Sequence, residues 1–313
     1  MSNKFSTFIC QNCGSETSQY FGRCLNCNEW NTIVEERKNT RSKVTSVNKN
    51  KKSKLFNEIE IGNISRFTSG FKEFDRVLGG GIVPGSIVLL GGEPGIGKST
   101  IVLQSAGKIS LNEKVLYITA EESLEQVKIR WERLNQSSLD LKIYAETNLS
   151  LIIEEIKKIK PGFAIIDSIQ AINNDEMESS PGSVSQVRTC SSELQNLAKE
   201  NNIALLIIGH VTKDGALAGP KTLEHLVDVV LNFEGDNIAS HRLLRSVKNR
   251  FGSTFEIGIF EMLENGLREV INPSSIFTNK ENISGVTTTI TNEGSRPFAV
   301  DIQALVNKTF YNN

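Results

Sequence analysis

No apolar run in this 313-residue sequence approaches the roughly 20 residues that a membrane-spanning helix needs, and the opening Met1–Cys10 lacks the apolar core of a signal peptide. A cytoplasmic protein without a membrane partner is therefore expected. Cysteine is scarce outside one place: four of the five lie within the first 27 residues, and the fifth, Cys190, stands alone. That distribution excludes a disulfide framework and points to a metal site in a reducing compartment. Acidic residues are missing from Arg37–Lys54, which carries eight Lys/Arg; removing those eight from a formal charge of −1 leaves the rest at −9. The near-neutral average thus combines a basic segment with an acidic body. The length accommodates one α/β domain of roughly 200 residues plus smaller attachments.

What is present begins with GEPGIGKS at 92–99, a complete G-x-x-x-x-G-K-S phosphate-binding loop. The apolar run Ser86–Leu90 precedes it and the helix-compatible Thr100–Ile109 follows, the strand–loop–helix frame that the motif needs for its amides to wrap a phosphate. The candidate nucleotide site is Gly92, Glu93, Pro94, Gly95, Ile96 and Gly97 with Lys98, Ser99 and Thr100. Lys98 would reach the β- and γ-phosphates of ATP and the Ser99 hydroxyl would ligate Mg²⁺. A chance glycine-rich turn before a helix would not need all these positions in the right frame.

Cys10-x-x-Cys13 and Cys24-x-x-Cys27 are separated by ten residues, a spacing that brings four thiolates around one Zn²⁺ in a small ribbon. Gly14 and Gly22 flank the two knuckles as turn residues, and Phe8, Tyr20, Phe21 and Trp30 are expected to form the ribbon's minimal core. Two readings stand for the metal, one that it only folds a segment too short for its own core and one that it also contacts a partner. Redox chemistry is disfavoured because each pair is matched by the other. Arg37–Lys54 has almost nothing to bury and reads as a flexible basic tether, either merely solvated or attracting phosphate backbones.

From Phe67 onward, short apolar runs alternate with helix-period segments; Ser86–Leu90, Val115–Thr119, Leu141–Tyr144, Phe163–Asp167 and Ala204–Gly209 are the strand candidates. Alternation of this kind predicts a mostly parallel sheet with helices on both faces and its ligand at the strands' carboxyl ends. Asp167 ends one such strand and suits the metal-ordering acid of a phosphate-loop ATPase, with a helix N-cap as the competing reading. Glu121 and Glu122 follow another, and either could orient and deprotonate an attacking water. His210 ends a further strand as a γ-phosphate sensor or a structural residue. In Arg242–Gly252, Lys248 and Arg250 share one face of a hairpin strand, as a solvated cationic face or as fingers reaching a neighbouring subunit's γ-phosphate.

The segments at 74–100, 118–123 (ITAEES), 164–170 (AIIDSIQ), 210–228 (HVTKDGALAGPKTLEHLVD) and 243–262, with KNRFG at 248–252 behind a four-cysteine ribbon, make the chain resemble the bacterial RadA (Sms) family of DNA repair proteins, which are RecA-like ATPases. The LGGG-x-x-PG lead-in is also similar to KaiC and DnaB-type ring ATPases. The resemblance implies an α/β fold, a RecA-like P-loop ATPase core behind a zinc ribbon. It divides the chain into a C4 zinc ribbon at 1–36, a basic linker at 37–60, an ATPase domain at 61–272 and the start of a Lon-protease-like domain at 273–313, most of which is absent. In that last part Glu293–Val306 would be an orphaned strand, leaving Phe298, Val300, Ile302, Leu305 and Val306 in need of a partner. It also implies ATP, Mg²⁺ and Zn²⁺ as cofactors, the catalytic set Lys98, Glu121 or Glu122, Asp167, Lys248 and Arg250, and a homohexameric ring. Single-stranded and branched DNA and the RecA filament are the implied partners. Loops 172–185 and 211–220 would face the ring's channel, making Lys213, Arg188 and Lys221 the DNA-contact candidates. The implied activity is DNA-stimulated ATP hydrolysis driving branch migration in recombinational repair. The alternatives are a nucleotide-gated DNA-binding scaffold without motor activity and a KaiC-like regulatory ATPase.

Overall fold

The computed structural model describes residues 6–10, 13–37, 55, 66–138, 140–209, 221–235, 240–278 and 284–304. His210, Lys213 and the rest of 210–220, nearly all of the basic linker, and Leu305 and Val306 lie outside the described residues. β1 (Ser6–Cys10), β2 (Glu16–Thr17) and β3 (Ile33–Arg37) make a small antiparallel sheet in the order β2-β1-β3. The core domain then runs α1 (Lys72–Val77), β4 (Ile87–Gly92), α2 (Lys98–Ile109), β5 (Val115–Thr119), α3 (Leu124–Arg133), β6 (Leu141–Ala145), α4 (Leu149–Ile159) and β7 (Phe163–Asp167). It continues with α5 (Val184–Asn201), β8 (Ala204–Ile208), α6 (Lys221–Glu224), β9 (Val229–Gly235), β10 (His241–Asn249), β11 (Ile257–Leu263) and β12 (Gly266–Glu269). The described chain ends with α7 (Ser274–Phe277), β13 (Val286–Glu293) and β14 (Arg296–Gln303).

Among the described residues, β4 to β12 form one nine-stranded sheet in the order β12-β11-β10-β9-β4-β8-β7-β5-β6. The pairings from β9 to β6 are all parallel, and β10, β11 and β12 add an antiparallel edge. The central strands β4, β5, β7 and β8 are buried along their whole length and almost entirely apolar because both their faces are covered, whereas the edge strand β6 is partly exposed. Alternate residues feed different cores: Val88, Leu90, Tyr117 and Ile165 meet α1, α2 and α3 through Phe74, Ile101, Ala106 and Val127. Ile87, Leu89, Ile118 and Ile166 meet α4 and α5 through Ile152, Ile156, Val187 and Leu194. Each fully buried aliphatic side chain contributes about 2 kcal/mol, so a helix on either face is held by several such contacts.

Local chemistry sets the helix ends. Ser123 and Gln126 form a reciprocal capping box on α3, Asn148 accepts from the amides of Ser150 and Leu151 on α4, and Ser183 accepts from that of Gln186 on α5. Lys160 and Asn202, at φ of 51° and 55°, stop α4 and α5 in left-handed turns.

The terminal segment differs from expectation, because β14 is not orphaned. It pairs along its full length with β13, and Phe298 is 5% exposed against Ile257 and Ile259, with Val300 beside them. Ile302 keeps half its surface exposed. The hairpin is fastened to the core by Arg296, whose Nη1 donates to both carboxylate oxygens of Glu73 at 2.8 and 2.9 Å. Glu73 is 4% exposed on α1 and also accepts from the Ile259 amide at 3.1 Å. Arg76 Nη2 also lies 3.5 Å from Glu73 Oε1, so losing Arg296 weakens the pairing of this carboxylate without leaving it alone. Arg296→Ala should therefore lower the free energy of unfolding by about 2 kcal/mol, measured by urea denaturation followed by circular dichroism.

Candidate nucleotide site and metal centre

β4 delivers the loop at 92–97 and α2 starts at Lys98, so the loop's amides open at the amino end of a 12-residue helix. Backbone conformation as well as ligand approach calls for glycine at 92 and 97, whose φ values are 153° and 112°. A Cβ on Gly92 would lie 2.5 Å from the Phe233 carbonyl of β9, and one on Gly97 would lie 2.5 Å from the Met262 methyl of β11. Lys98 is buried, and its ammonium donates to the carbonyls of Gly92 and Glu93 at 2.8 Å each. Burial pushes its pKa down while Asp167 and Glu121 pull it up, which places both carboxylates in its electrostatic reach.

Asp167 ends β7 at 8% exposure and accepts a 2.5 Å hydrogen bond from the Tyr117 hydroxyl on β5. The Ser99 hydroxyl also donates to it. Burial raises the carboxyl's pKa, the Tyr117 and Ser99 hydrogen bonds oppose that rise, and Glu121 adds to it. Tyr117 is wholly buried, and burial beside Asp167 keeps its phenol protonated as a donor. Sequence spacing could not have found this pairing, since the two residues are 50 positions apart. The Asp167–Ser168 peptide is cis.

Glu121 and Glu122, which the sequence leaves equivalent, are placed differently. Glu121 accepts from the Ser168 hydroxyl, next to Asp167 at the carboxyl end of β7, and faces the loop lysine electrostatically. Glu122 turns away into an ion pair with Arg130 on α3, and its backbone is held by the Thr119 hydroxyl. Lys98, Ser99, Asp167 and Glu121 therefore converge, and Glu122 does not join them.

Lys248 and Arg250 do not join them either. Register runs from Gly92 to Phe233 to Leu244, whereas Lys248 lies level with Val230 and Leu89. A bulge between Ser246 and Lys248 breaks the simple alternation, and Arg250 sits just beyond β10. The Lys248 ammonium donates to the carbonyls of Glu224 and Val227, and Arg250 Nη1 to Asp228 Oδ1 at 3.0 Å. The other Asp228 oxygen accepts from the amide of Ile87, which starts β4. Five steps of about 3.3 Å each separate that point from Gly92, which puts the anchor of Arg250 about 16 Å from the loop of its own chain, and Lys248 is three residues back along the sheet and two strands across.

In the ribbon, the sulfurs of Cys10, Cys13, Cys24 and Cys27 all lie within 4.8 Å of one another, and the Cys10–Cys27 and Cys13–Cys24 distances are 3.6 Å. This donor set fits tetrahedral Zn²⁺. The Asn26 amide and side-chain nitrogen donate to the Cys24 and Cys13 sulfurs, and the Thr32 hydroxyl stands 3.2 Å from that of Cys10, the outer partners a metal-bound thiolate needs. Burial pushes the Cys13 thiol's pKa up to about 12. The second knuckle turns at Asn28, at φ 62°, in the place that Gly14 takes in the first; Gly22 does not have that role. Phe8 and Phe21 pack on the cysteines, but Tyr20 and Trp30 are 58% and 66% exposed. The sulfurs and Ile33 already fill the interior, leaving Tyr20 edge-on to Phe8 and Trp30 under Arg23.

Two family models match the chain: a rubredoxin metal-binding domain at residues 8–35 and the KaiC ATPase at 67–154. The chain is 50% identical over 312 residues to the DNA repair protein RadA of Listeria monocytogenes, covering 98% of this chain and 68% of that protein. It is also 50% identical to RadA of Streptococcus pyogenes over 319 residues, at 100% and 70% coverage, and 47% identical to that of Synechocystis, at 99% and 68%. The chain belongs to the RadA family of DNA repair proteins. Solved structures share the fold of the RadA-family core at low identity. A KaiC-like protein from Pyrococcus horikoshii superposes with a TM-score of 0.53 at 20% identity, over 66% of this chain and 99% of the other. A DnaB-like replicative helicase gives 0.57 at 16%, over 66% and 62%. No helix among the described residues of this RadA-family chain is long and apolar enough to cross a membrane.

Of the DNA-contact candidates suggested by RadA resemblance, Lys213 is outside the described residues and Lys221 begins α6, its side chain undescribed. Arg188, on α5, is ion-paired at 3.6 Å with Glu16 of the ribbon. The buried Tyr117 hydroxyl fixes the acid that faces Ser99, and a hydrogen bond to a charged group is worth about 1.5 kcal/mol. Tyr117→Phe should raise the Mg²⁺ concentration giving half-maximal nucleotide binding about tenfold, measured by titrating Mg²⁺ against a fluorescent ATP analogue. Stripping the ribbon with a chelator should release one zinc ion per chain, read with a metallochromic dye, while the melting of the parallel-sheet core is unchanged.

Proposed function

We propose that this chain is a DNA-stimulated ATPase that processes recombination intermediates, promoting branch migration by ATP-driven movement on single-stranded DNA. The observation that carries the reading is the convergence of Lys98, Ser99, Asp167 and Glu121 at the carboxyl ends of the parallel strands, around a complete phosphate loop. Loop amides and Lys98 bind the β- and γ-phosphates, and Ser99 and Asp167 would hold Mg²⁺, which would supply charge neutralisation at the phosphates when bound. Glu121, close enough to this cluster to shift Lys98, orients water and takes its proton; Glu122 is spent on Arg130.

Lys248 and Arg250 are assigned to a neighbouring subunit's γ-phosphate, because the sheet puts them out of reach of their own loop. That assignment requires a ring, with the hexamer as its form. Single-stranded and branched DNA is the polynucleotide partner, and the RecA filament the protein partner. The domain division at 36, 60 and 272 belongs to the same proposal.

The test is ATP hydrolysis by the purified chain with and without single-stranded DNA. DNA should stimulate the wild type, Lys98→Ala should abolish hydrolysis, Glu121→Gln should bind ATP yet hydrolyse it about a hundredfold more slowly, and Glu122→Gln should stay near wild type. Mixing Lys98→Ala with Lys248→Ala/Arg250→Ala should restore part of the activity that each lacks alone. Hydrolysis that ignores DNA would overturn the motor reading. If hydrolysis were negligible and DNA affinity still changed between ADP and ATP, a nucleotide-gated scaffold would take its place.

A further inference from the structure

Across the phosphate loop from the acids stands Arg242, the second residue of β10, at 7% exposure. Its Nε donates to the Ile96 carbonyl at 3.2 Å, and its Nη1 to the His241 carbonyl at 2.9 Å. The side chain passes over β9, where Arg242 is in register with Gly235. A Cβ at 235 would lie 2.5 Å from Arg242 Cδ, so glycine there keeps the route to the loop open.

A planar peptide unit points its C=O and its N–H to opposite sides. Holding the Ile96 oxygen from the buried side therefore aims the Gly97 N–H outward, into the concavity where loop amides gather an anion. The Ile96 side chain, 2% exposed, fixes the same unit from beneath. Two other loop carbonyls, those of Gly92 and Glu93, are held by Lys98, the residue that a phosphate would recruit. Arg242 holds a different loop carbonyl, that of Ile96, so its bond does not draw on Lys98.

We propose that Arg242 is a positioning residue for the phosphate loop, setting the Ile96–Gly97 peptide so that the amide is ready for the β-phosphate. It acts through the backbone and makes no contact with nucleotide. The proposal rests on the nucleotide-binding reading of the loop and is independent of hydrolysis and of DNA.

The experiment titrates fluorescent ADP and ATP analogues against the wild type, Arg242→Lys, Arg242→Met and Gly235→Ala. Arg242→Met loses the donor at matched length, and Gly235→Ala displaces the guanidinium while leaving it intact. Both should weaken ADP and ATP equally, about tenfold, with the loss in hydrolysis assays appearing in KM and not in kcat. Arg242→Lys keeps one donor and should bind within about twofold of wild type. A purely structural arginine would lower the melting temperature and leave the affinities of the folded fraction alone. Unchanged affinity in Arg242→Met, or Arg242→Lys as weak as Arg242→Met, overturns the proposal. A wild type that binds neither nucleotide removes the reading of the loop itself.

Discussion

A strand paired on both edges and buried on both faces has no freedom left at its carboxyl end, and β4 is in that position, between β8 and β9 with Val88 and Leu90 in one core and Ile87 and Leu89 in the other. The phosphate loop inherits this fixity. Phe233 of β9 bounds it on one side, Met262 of β11 presses against Gly97, and α2 leaves it at a fixed angle because Ile101 and Ala106 are locked into the same core. The amino end of the strand is equally held: Asp228 exchanges hydrogen bonds with the backbone of Ile87 and carries Arg250 on its other carboxylate oxygen. One strand thus sets the distance between the loop that binds phosphate and the cations at the far edge of the sheet.

Electrostatics at the carboxyl edge is organised by burial. Asp167 and Lys98 are buried where solvent screening is weak, and the exposed Glu121 beside them raises the pKa of both, while hydroxyls from Tyr117 and Ser99 bond Asp167 and that of Ser168 bonds Glu121 without adding charge. The Arg130 charge draws the Asp167 pKa down while pairing with Glu122. This explains why neighbouring glutamates come to differ: α3 begins just beyond Glu122, at the Ser123 cap, and Arg130 on that helix captures the second carboxylate, leaving the first toward β7.

Much of this was legible in the sequence where chemistry is local. The loop, the two cysteine knuckles and the strands at 115–119 and 163–167 follow from spacing and hydrophobic runs, and the structure has those two strands at the same residues. What could not be read depends on register between distant segments. Tyr117 meets Asp167 only because β5 pairs with β7, Arg242 meets Ile96 across 146 residues, and Glu73 meets Arg296 across 223. The exposed Tyr20 and Trp30 failed as core predictions for a different reason: in a module this small the metal ligands occupy the interior, and aromatic rings are left outside. Lys248 and Arg250 were visible as a cationic pair, but their separation from the loop of the same chain emerges only from the strand order.

Two of the three loop glycines, Gly92 and Gly97, carry an implication for how this sequence tolerates change. Gly92 is confined by the Phe233 backbone carbonyl and Gly97 by its φ of 112°, constraints that belong to the protein and not to any ligand, so a substitution there strains the protein before it meets a phosphate. Lys98 and Ser99 begin α2 with ordinary helical backbone, so what their positions supply is an ammonium and a hydroxyl. In a lineage that had abandoned nucleotide chemistry, drift would therefore appear first at the lysine and serine, while the glycines persisted as a record of backbone constraint. A surviving glycine pattern alone is weak testimony to an active loop; the intact Lys98–Ser99 pair is the stronger witness here.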